Sequence, residues 1–262
     1  MSETGPKIAV EFRGPVATLV LNRPERRNAL DFDMWRTMLR ELERLEADEA
    51  VRVVVVRGAG EQAFSAGADI KEFAALLEDR QRLEENNQVV QQAQIALEEF
   101  SKPTIAMIRG ACMGGGCGIA LACDLRLADG AARFGITPAK LGLLYSERDT
   151  RRLHRLVGPA MTRRMLYTGM TLDAERALEV GLVDQLLGAD ALEDEVNALA
   201  DTLAAGSGYS LRGIKAIIGH IEGGRRYSRE DIDALVDGAF DGEDFQEGRR
   251  AFLEKRPAVF NS

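Results

Sequence analysis

Two short runs of small residues have the composition to bind an oxyanion through backbone amides. Residues 114–116 are three successive glycines between an apolar strand-like run and an apolar helix. The turn Ala66-Gly67-Ala68 likewise follows a buried run and precedes a polar helix start. Because the first N–H groups of a helix have no intrahelical acceptor, each turn can offer one donor to a polarised carbonyl. Together they contain the parts of an oxyanion hole, whereas tight strand-to-helix packing is the alternative explanation for either turn alone.

The elements that must position these turns alternate between strands and helices. Two alternating apolar runs in residues 7–22 are broken by Gly14-Pro15, which predicts a β-hairpin. The helical spacing of apolar residues over 31–47 predicts an amphipathic helix. Buried strands are expected at 51–57 and 104–109, and a long polar helix is expected between them at about 80–100. We therefore predict an α/β core in which ligand-binding turns lie at the carboxyl ends of the strands.

The second half of the chain is predicted to be mainly helical. Short strands are expected at 124–129, 132–135 and within 181–187. A helix is expected to start near Ser146, and others are expected at 159–168, 173–180 and 190–205.

A Gly- and Ser-rich composition break at 204–210 separates a distinct tail from the rest of the chain. The tail is predicted to contain roughly three helices, the first two separated by Gly223-Gly224. We expect residues 1–205 to form an α/β core that contains the active site. Residues 206–262 are expected to form a helical oligomerisation module.

Composition and charge exclude several functional classes. The net charge of −8 and the isoelectric point near 5.1 argue against a nucleic-acid or anionic-membrane partner. The N-terminal residues lack a basic and apolar leader, and no uncharged apolar run approaches the ~20 residues that span a bilayer. We therefore expect a cytoplasmic protein. Cys112, Cys117 and Cys123 lie among small apolar residues without ligand spacing, so we expect buried apolar side chains and no metal site.

Four motifs in a fixed order carry a resemblance to a known family. They are NRPERRNAL at 22–30, AFSAGADIKEF at 63–73, GACMGGGCGIALACD at 110–124 and FLEKRPAVF at 252–260. Over nearly its whole length the chain resembles the enoyl-CoA hydratase/isomerase (crotonase) superfamily. The resemblance implies a spiral of β-β-α units closed by a helical C-terminal module, assembled as a trimer or a dimer of trimers. It also implies an acyl-CoA thioester as substrate, with coenzyme A as part of that substrate and no separate cofactor.

The resemblance assigns roles to individual residues. It implies that the thioester oxygen lies between the backbone N–H groups of Ala68 and Gly115, whose side chains contribute little. It places the CoA moiety against five residues, with the last two usually reaching the site of a neighbouring subunit: Arg26, Ala66, Lys71, Phe252 and Lys255. Lysine and arginine favour a polyphosphate for Coulombic reasons, although an isolated surface lysine is more often only solvated. Asp69 is interpreted as a cap for the helix that follows its turn.

The chain departs from the hydratase pattern at the two positions that carry acid and base. Where hydratases of the family have glutamates, this sequence has Gly118 and Pro138, neither of which can transfer a proton. The segment that follows is LGLLYSERD, which puts Tyr145 and Ser146 where hydratases have Pro-Gly. This TPxxLGxxY pattern is similar to that of family decarboxylases that act on malonyl-type thioesters.

Decarboxylation fits these residues because losing CO₂ generates the enolate without a pair of glutamates. Tyr145 is a candidate for orienting the acyl group, although a tyrosine before a helix is often only a packed ring. Glu147 and Asp149 are alternative acid or base groups, yet acidic residues are expected in a first helical turn for dipole reasons alone. Two other functions stay open. One is enoyl-CoA hydration by other acid or base groups, and the other is a non-catalytic CoA-thioester-binding protein.

Overall fold

The computed structural model of the protein describes residues 5–76, 78–224 and 226–260. Its first strands form the expected hairpin, in which β1 (Ile8–Arg13) pairs antiparallel with β2 (Val16–Leu21). Gly14 makes the turn with a φ of 57°, a left-handed conformation that favours glycine. The hairpin predicted from the alternating pattern is therefore confirmed.

The larger of the two sheets runs in the order β1-β2-β3-β5-β7-β10 and is parallel from β2 onwards. The strands that follow the hairpin in this sheet are β3 (Val53–Gly58), β5 (Thr104–Ile108), β7 (Leu125–Asp129) and β10 (Gln185–Leu187). In β3, Val54 and Val56 pack into one hydrophobic cluster while Val53 and Val55 pack into another. A strand covered on both faces reads as a continuous apolar run, which is why VVVV is buried throughout.

The smaller sheet runs in the order β4-β6-β8-β9. Its strands have three residues each: β4 (Ala63–Ser65), β6 (Ala111–Met113), β8 (Arg133–Gly135) and β9 (Thr171–Asp173). Along the chain, each of β3, β5 and β7 in the large sheet is followed by a strand of the small sheet and then by helix. This repetition is the expected series of β-β-α units. The sequence did not predict β4, β6 and β9 as strands.

Helices cover the sheets. Those that precede the C-terminal tail are α1 (Phe32–Ala47), α2 (Ile70–Leu76), α3 (Arg80–Glu98), α4 (Gly115–Ala122), α5 (Glu147–Thr168), α6 (Ala174–Glu179) and α7 (Leu192–Ala205). The Asp31 side chain caps α1 by accepting from Met34 N at 2.9 Å. In α5 the backbone leaves helical geometry at Gly158, just before Pro159, at the boundary between the two helices predicted there.

Three further helices form the C-terminal tail: α8 (Gly208–Ile221), α9 (Arg229–Gly238) and α10 (Glu243–Glu254). Gly223 and Gly224 separate α8 from α9, as predicted. Ion pairs join the tail to the preceding residues, including Lys215 Nζ to Asp124 Oδ2 at 2.7 Å. The division into two domains at residue 205 stays a prediction, and residues 1–4 and 261–262 at the ends of those domains lie outside the described residues. Among the helices described, none combines the length and the apolar character that crossing a membrane requires.

Candidate active site

The two small-residue turns lie against each other because β4 and β6 are parallel neighbours that end at the same edge. Gly67 has a φ of 89°, and a Cβ placed on it would lie 2.9 Å from Met113 O. A Cβ on Gly116 would lie 2.8 Å from Ser65 Cβ. Side chains at these two positions would therefore push the turns apart. Tight packing, the alternative explanation for the small residues, is real, and it also brings the start of α4 next to the Ala66-Gly67-Ala68 turn.

Two backbone donors in these turns have no internal acceptor. In the described ranges, neither Ala68 N nor Gly115 N makes a backbone hydrogen bond. Their neighbours do, since Gly67 N donates to Ser65 Oγ at 3.1 Å and Gly114 N donates to Gly135 O at 2.8 Å. Ala68 and Gly115 line the same cavity. The geometry thus offers two unpaired donors to a ligand in that cavity, one of them in the first turn of α4, where the helix dipole favours negative charge.

The cavity has a volume of about 520 Å³ and two chemically different walls. One wall is apolar and consists of Leu30, Trp35, Phe73, Leu76 and Leu144. The other wall is formed by α3 and is rich in amides, with Asn86, Asn87, Val90, Gln91 and Gln94. Tyr145, Ser146 and Asp149 complete the lining around the start of α5, and Asp69 and Glu72 lie near the Ala68 turn. Among the described residues that line the cavity, there is no lysine or arginine.

A buried cluster of charged groups stands behind the cavity wall. Asp149 is 5 % exposed and accepts hydrogen bonds from Arg152 Nη1 at 2.8 Å and from Ser146 Oγ at 2.7 Å. Arg152 is 1 % exposed and also donates to Glu98 Oε2 at 2.6 Å. One guanidinium is therefore shared by two carboxylates, and only Asp149 of the two lines the cavity.

Burial shapes the ionisation of this cluster. It raises the pKa of Asp149 above its usual value, the charge of Glu98 acts in the same direction, and the bonds from Ser146 and Arg152 offset this only in part. Burial also pushes the pKa of Glu98 upward, but Arg152 and Arg155 outweigh it and the pKa of Glu98 is lowered. The cluster thus contains one carboxyl that resists ionisation and one that favours it. Perturbed carboxyls of the first kind are typical of acid and base groups in active sites.

Tyr145 lines the cavity close to Asp149. Its hydroxyl oxygen is buried and has no hydrogen-bond partner among the described residues. Burial, and then the nearby Asp149 charge, raise the pKa of the Tyr145 hydroxyl well above its usual value. The group is therefore a neutral phenol at physiological pH, able to donate a proton in a hydrogen bond to a ligand that reaches it.

Glu147, the other acidic candidate of this turn, is not brought to the cavity. Its side chain is exposed and forms an ion pair with Arg151 on the solvent side of α5. Asp149 is two residues further along the same turn and faces inward. Of these two acidic candidates, only Asp149 therefore lines the cavity.

The candidates for contacting CoA lie outside the cavity. Arg26 is exposed in a 3-10 helix (Pro24–Arg26), and the residue after it, Arg27, accepts a hydrogen bond from Ala66 N at 2.9 Å through its carbonyl oxygen. Lys71 is exposed in the first turn of α2. Phe252 is 83 % exposed on α10, and Lys255 follows the end of that helix. None of these residues lines the cavity of this chain.

Lys71 and Lys255 differ from the other lysines of the chain. The remaining four of the six lysines, Lys7, Lys102, Lys140 and Lys215, each donate to a carbonyl or carboxylate oxygen at 2.7 Å. In the part of the chain that the structure describes, the amines of Lys71 and Lys255 have no such partner. They are thus available to an external anion.

The other predictions about this region concern caps, cysteines and the missing glutamates. Asp69 Oδ1 accepts from Lys71 N at 3.1 Å, which confirms Asp69 as a cap. The three cysteines are buried and unpaired, as expected. Gly118 is buried in α4, and Pro138 begins a 3-10 helix (Pro138–Leu141).

Sequence reasoning missed Gln94, Arg152 and Glu98. A signal for Gln94 was present, because it lies on the face of α3 that carries Val90 and Leu97, where an apolar residue is expected. A polar residue in a buried register needs a partner, and here the partner is Asp149. Arg152 and Glu98 follow ordinary amphipathic spacing and give no comparable signal.

Comparison with known proteins agrees with the fold. Residues 11–262 match the family model described as Enoyl-CoA hydratase/isomerase. The short-chain-enoyl-CoA hydratase of Clostridium acetobutylicum is 33% identical over 95% of this chain and 95% of its own. The crotonyl-CoA hydratase of Syntrophomonas wolfei is 33% identical over 97% and 98%.

Solved structures show the same likeness. A crystal structure of an enoyl-CoA hydratase/isomerase family protein from Hyphomonas neptunium superposes with a TM-score of 0.94 at 40% identity, covering 99% of both chains. Likeness in sequence and in structure thus extends over almost the whole molecule. On this basis the chain belongs to the enoyl-CoA hydratase/isomerase family, with the crotonase fold.

Proposed function

We propose that this acyl-CoA enzyme stabilises the enolate oxygen of a thioester between Ala68 N–H and Gly115 N–H. The observation that carries the proposal is that these two donors are unpaired in the described structure and line one cavity. Backbone donors fixed by the fold need no reorganisation as negative charge develops on the oxygen. The favoured reaction is decarboxylation of a malonyl-type acyl-CoA.

Coenzyme A is bound as part of the substrate, and no separate cofactor takes part. Lys71, next to the Ala68 turn, is the candidate for the phosphates because its amine has no internal acceptor. Lys255 and Phe252 lie away from this chain's cavity and are proposed to reach the CoA of a neighbouring copy. Apolar side chains exposed on the tail, such as Ile218, Ile221 and Phe240, support a homo-oligomer, which we propose to be a trimer or a dimer of trimers in the cytoplasm.

The proposed reaction needs one proton transfer. Breaking the bond between Cα and the carboxylate releases CO₂ and leaves the electron pair in the thioester enolate, whose oxygen the two N–H groups stabilise. Asp149, whose pKa is raised by burial, then donates a proton to Cα and regains one from water. The substrate carboxylate meets no lysine or arginine among the described cavity residues, so its charge is poorly compensated before it leaves.

Hydration of an enoyl-CoA is the second candidate, and a specific distance favours it. Asp149 Oδ1 lies 3.3 Å from the position of a Cβ on Gly118. A carboxylate carried by α5 thus reaches close to the point from which a hydratase glutamate on α4 would extend. Two of the relatives are named as hydratases, which supports this alternative. In this reaction Asp149 would take a proton from water as the oxygen bonds to Cβ, and would then give that proton to Cα as the thioester enolate collapses.

A substrate panel separates the functions. Purified protein is incubated with malonyl-CoA, methylmalonyl-CoA and crotonyl-CoA, and the products are identified by mass spectrometry. We expect decarboxylation to exceed hydration, and Asp149→Asn to slow it by about 10²-fold, within the range for a positioned acid or base. Tyr145→Phe should also slow the reaction or misroute the proton, whereas Glu147→Gln serves as the matched exposed control.

The other outcomes are also decisive. Faster hydration of crotonyl-CoA would overturn the decarboxylase and establish the hydratase. Tight binding of acyl-CoA by calorimetry without turnover of any member would overturn both and favour a binding protein.

A further inference from the structure

Gln94 reaches across from α3 into the space beside α4. The amide end of its side chain lies 2.1 Å from the position that a Cβ on Gly118 would occupy. Gln94 is 3 % exposed, so its amide is enclosed by protein rather than solvated. Glycine at position 118 is therefore what makes room for this amide, and the two residues depend on each other.

The Gln94 amide also contacts the Asp149 carboxyl. Oriented to donate, its nitrogen lies 3.2 Å from both carboxylate oxygens. Turned by half a rotation, the amide would present its oxygen to the same group. A primary amide can thus donate to an ionised carboxylate or accept from a protonated carboxyl at one position.

The charged groups around Asp149 lie on α5 and α3. On α5, Arg152 donates to its Oδ1, and Ser146 at the start of the helix donates to its Oδ2. On α3, Glu98 shares Arg152 and is itself paired with Arg155 and, at 3.8 Å, with Arg148. Tyr145 is a further titratable neighbour. Gln94 adds to this set an uncharged amide that can either donate to the carboxyl or accept from it.

We propose that Gln94 is a positioning residue that holds the Asp149 carboxyl against the cavity wall in both its protonated and its ionised state. The inference rests on the proposed function, in which Asp149 exchanges a proton with the substrate. Arg152 favours the ionised carboxylate alone, because a guanidinium has no acceptor, and the Ser146 hydroxyl already accepts from Asp149 N at 3.0 Å. If position 94 lacked an amide that can accept a hydrogen bond, the protonated Asp149 carboxyl would lose a partner just before it donates its proton to the substrate.

The test replaces Gln94 by a group of the same shape that titrates. In Gln94→Glu, two carboxyls in contact share a proton, so the apparent pKa values of the pair separate and the upper one rises. Asp149 titration is followed by NMR of protein labelled with ¹³C in aspartate carboxyls, with Asp149→Asn to assign the signal. The pH profile of kcat/KM is recorded on the same samples. Gln92→Glu, an exposed change of the same charge on the same helix, is the control.

We expect Gln94→Glu to raise the midpoint of both curves by about 1 pH unit or more, and Gln92→Glu to leave both within roughly 0.3 unit. Gln94→Leu should lower kcat about tenfold with little change in KM, because the carboxyl loses its amide partner but the CoA contacts stay. Circular dichroism checks that the variants are folded.

The contact between Gln94 and Asp149 and the role of Asp149 as proton donor are tested separately. An unshifted Asp149 signal in folded Gln94→Glu would overturn the inference about Gln94, whatever the activity does. A shifted signal with an unshifted rate profile would support the contact between Gln94 and Asp149 and overturn the role of Asp149 as the proton donor.

Discussion

Replacing Arg152 by methionine removes the cation shared by the buried Asp149 carboxylate and the partly buried Glu98 carboxylate. The guanidinium donates to the carboxylate of Asp149 at 2.8 Å, to the carboxylate of Glu98 at 2.6 Å and to the backbone carbonyl oxygen of Gln94 at 3.3 Å. Methionine fills much of the same volume, so the packing loss is small and the electrostatic loss dominates. Removing one partner of a buried pair costs about 3–5 kcal/mol, because the remaining charge is left without compensation. Glu98 keeps its contact with Arg155 at 3.1 Å, so we expect about 3–4 kcal/mol at neutral pH rather than more.

The size of this loss should depend on pH in a defined direction. Burial already raises the folded-state pKa of Asp149, so its ionisation opposes folding as the pH rises through that pKa. Without Arg152 the folded-state pKa rises further, because the offsetting positive charge is gone. Each unit of pKa shift corresponds to about 1.4 kcal/mol, so the destabilisation should be roughly 1–2 kcal/mol smaller at about pH 5.5 than at about pH 7.5. At the lower pH the Asp149 carboxyl, which has lost Arg152, is protonated, and its buried charge is removed.

Urea unfolding followed by circular dichroism at a fixed protein concentration measures this loss at both pH values. Arg148→Met is the control, because Arg148 is 44% exposed and pairs with Glu99 at 3.3 Å near the surface. We expect it to change stability by less than about 1 kcal/mol. A loss for Arg152→Met below about 1 kcal/mol at neutral pH, or one of equal size at both pH values, would refute the account of the buried cluster.

Three further predictions concern the turns, the CoA contacts and the assembly. Gly116→Ala should lower kcat about tenfold or more with a smaller effect on KM, because its Cβ would press on Ser65 and move the start of α4; Gly130→Ala, which has open space around it, should leave the kinetics unchanged. Replacing Lys71 and Lys255 by alanine should weaken acyl-CoA binding and flatten its dependence on salt, and unchanged affinity at low salt would reject these contacts. Light scattering at micromolar concentration should give a mass above that of the monomer, and a monomer mass would contradict the interface assigned to the tail.

The fold could be predicted where a pattern is long enough to show its period. The helix α1 is an example, because its buried residues recur at helical spacing over four turns and Asp31 caps its start. The strands β4, β6 and β9 have three residues each, fewer than an alternating pattern needs. They exist as strands because β4 pairs with β6 and β9 pairs with β8 across long sequence separations, and such non-local pairing leaves no local signature.

The part of the candidate site that could be predicted consists of residues with little or no side chain. Glycine at 115 and alanine at 68 reveal in the sequence where a backbone can approach a ligand. The choice between Glu147 and Asp149 was not predictable. Residues two apart on a helix point in nearly opposite directions, about 160° apart, and packing decides which face of α5 points inward. Gln94 was missed because its partner, Asp149, is 55 positions away in a different helix.

Trp35 places a fluorescent indole in the wall of the candidate active-site cavity. It is the only tryptophan in the sequence, it lies in the cavity wall, and a Cβ on Gly115 would be 3.1 Å from its ring. Indole emission responds to the polarity and the dipoles within a few ångströms. Because no second indole adds background, the fluorescence of the native protein reports directly on what enters the cavity and on how the start of α4 responds. Stopped-flow measurements of ligand entry therefore require neither a label nor a substitution.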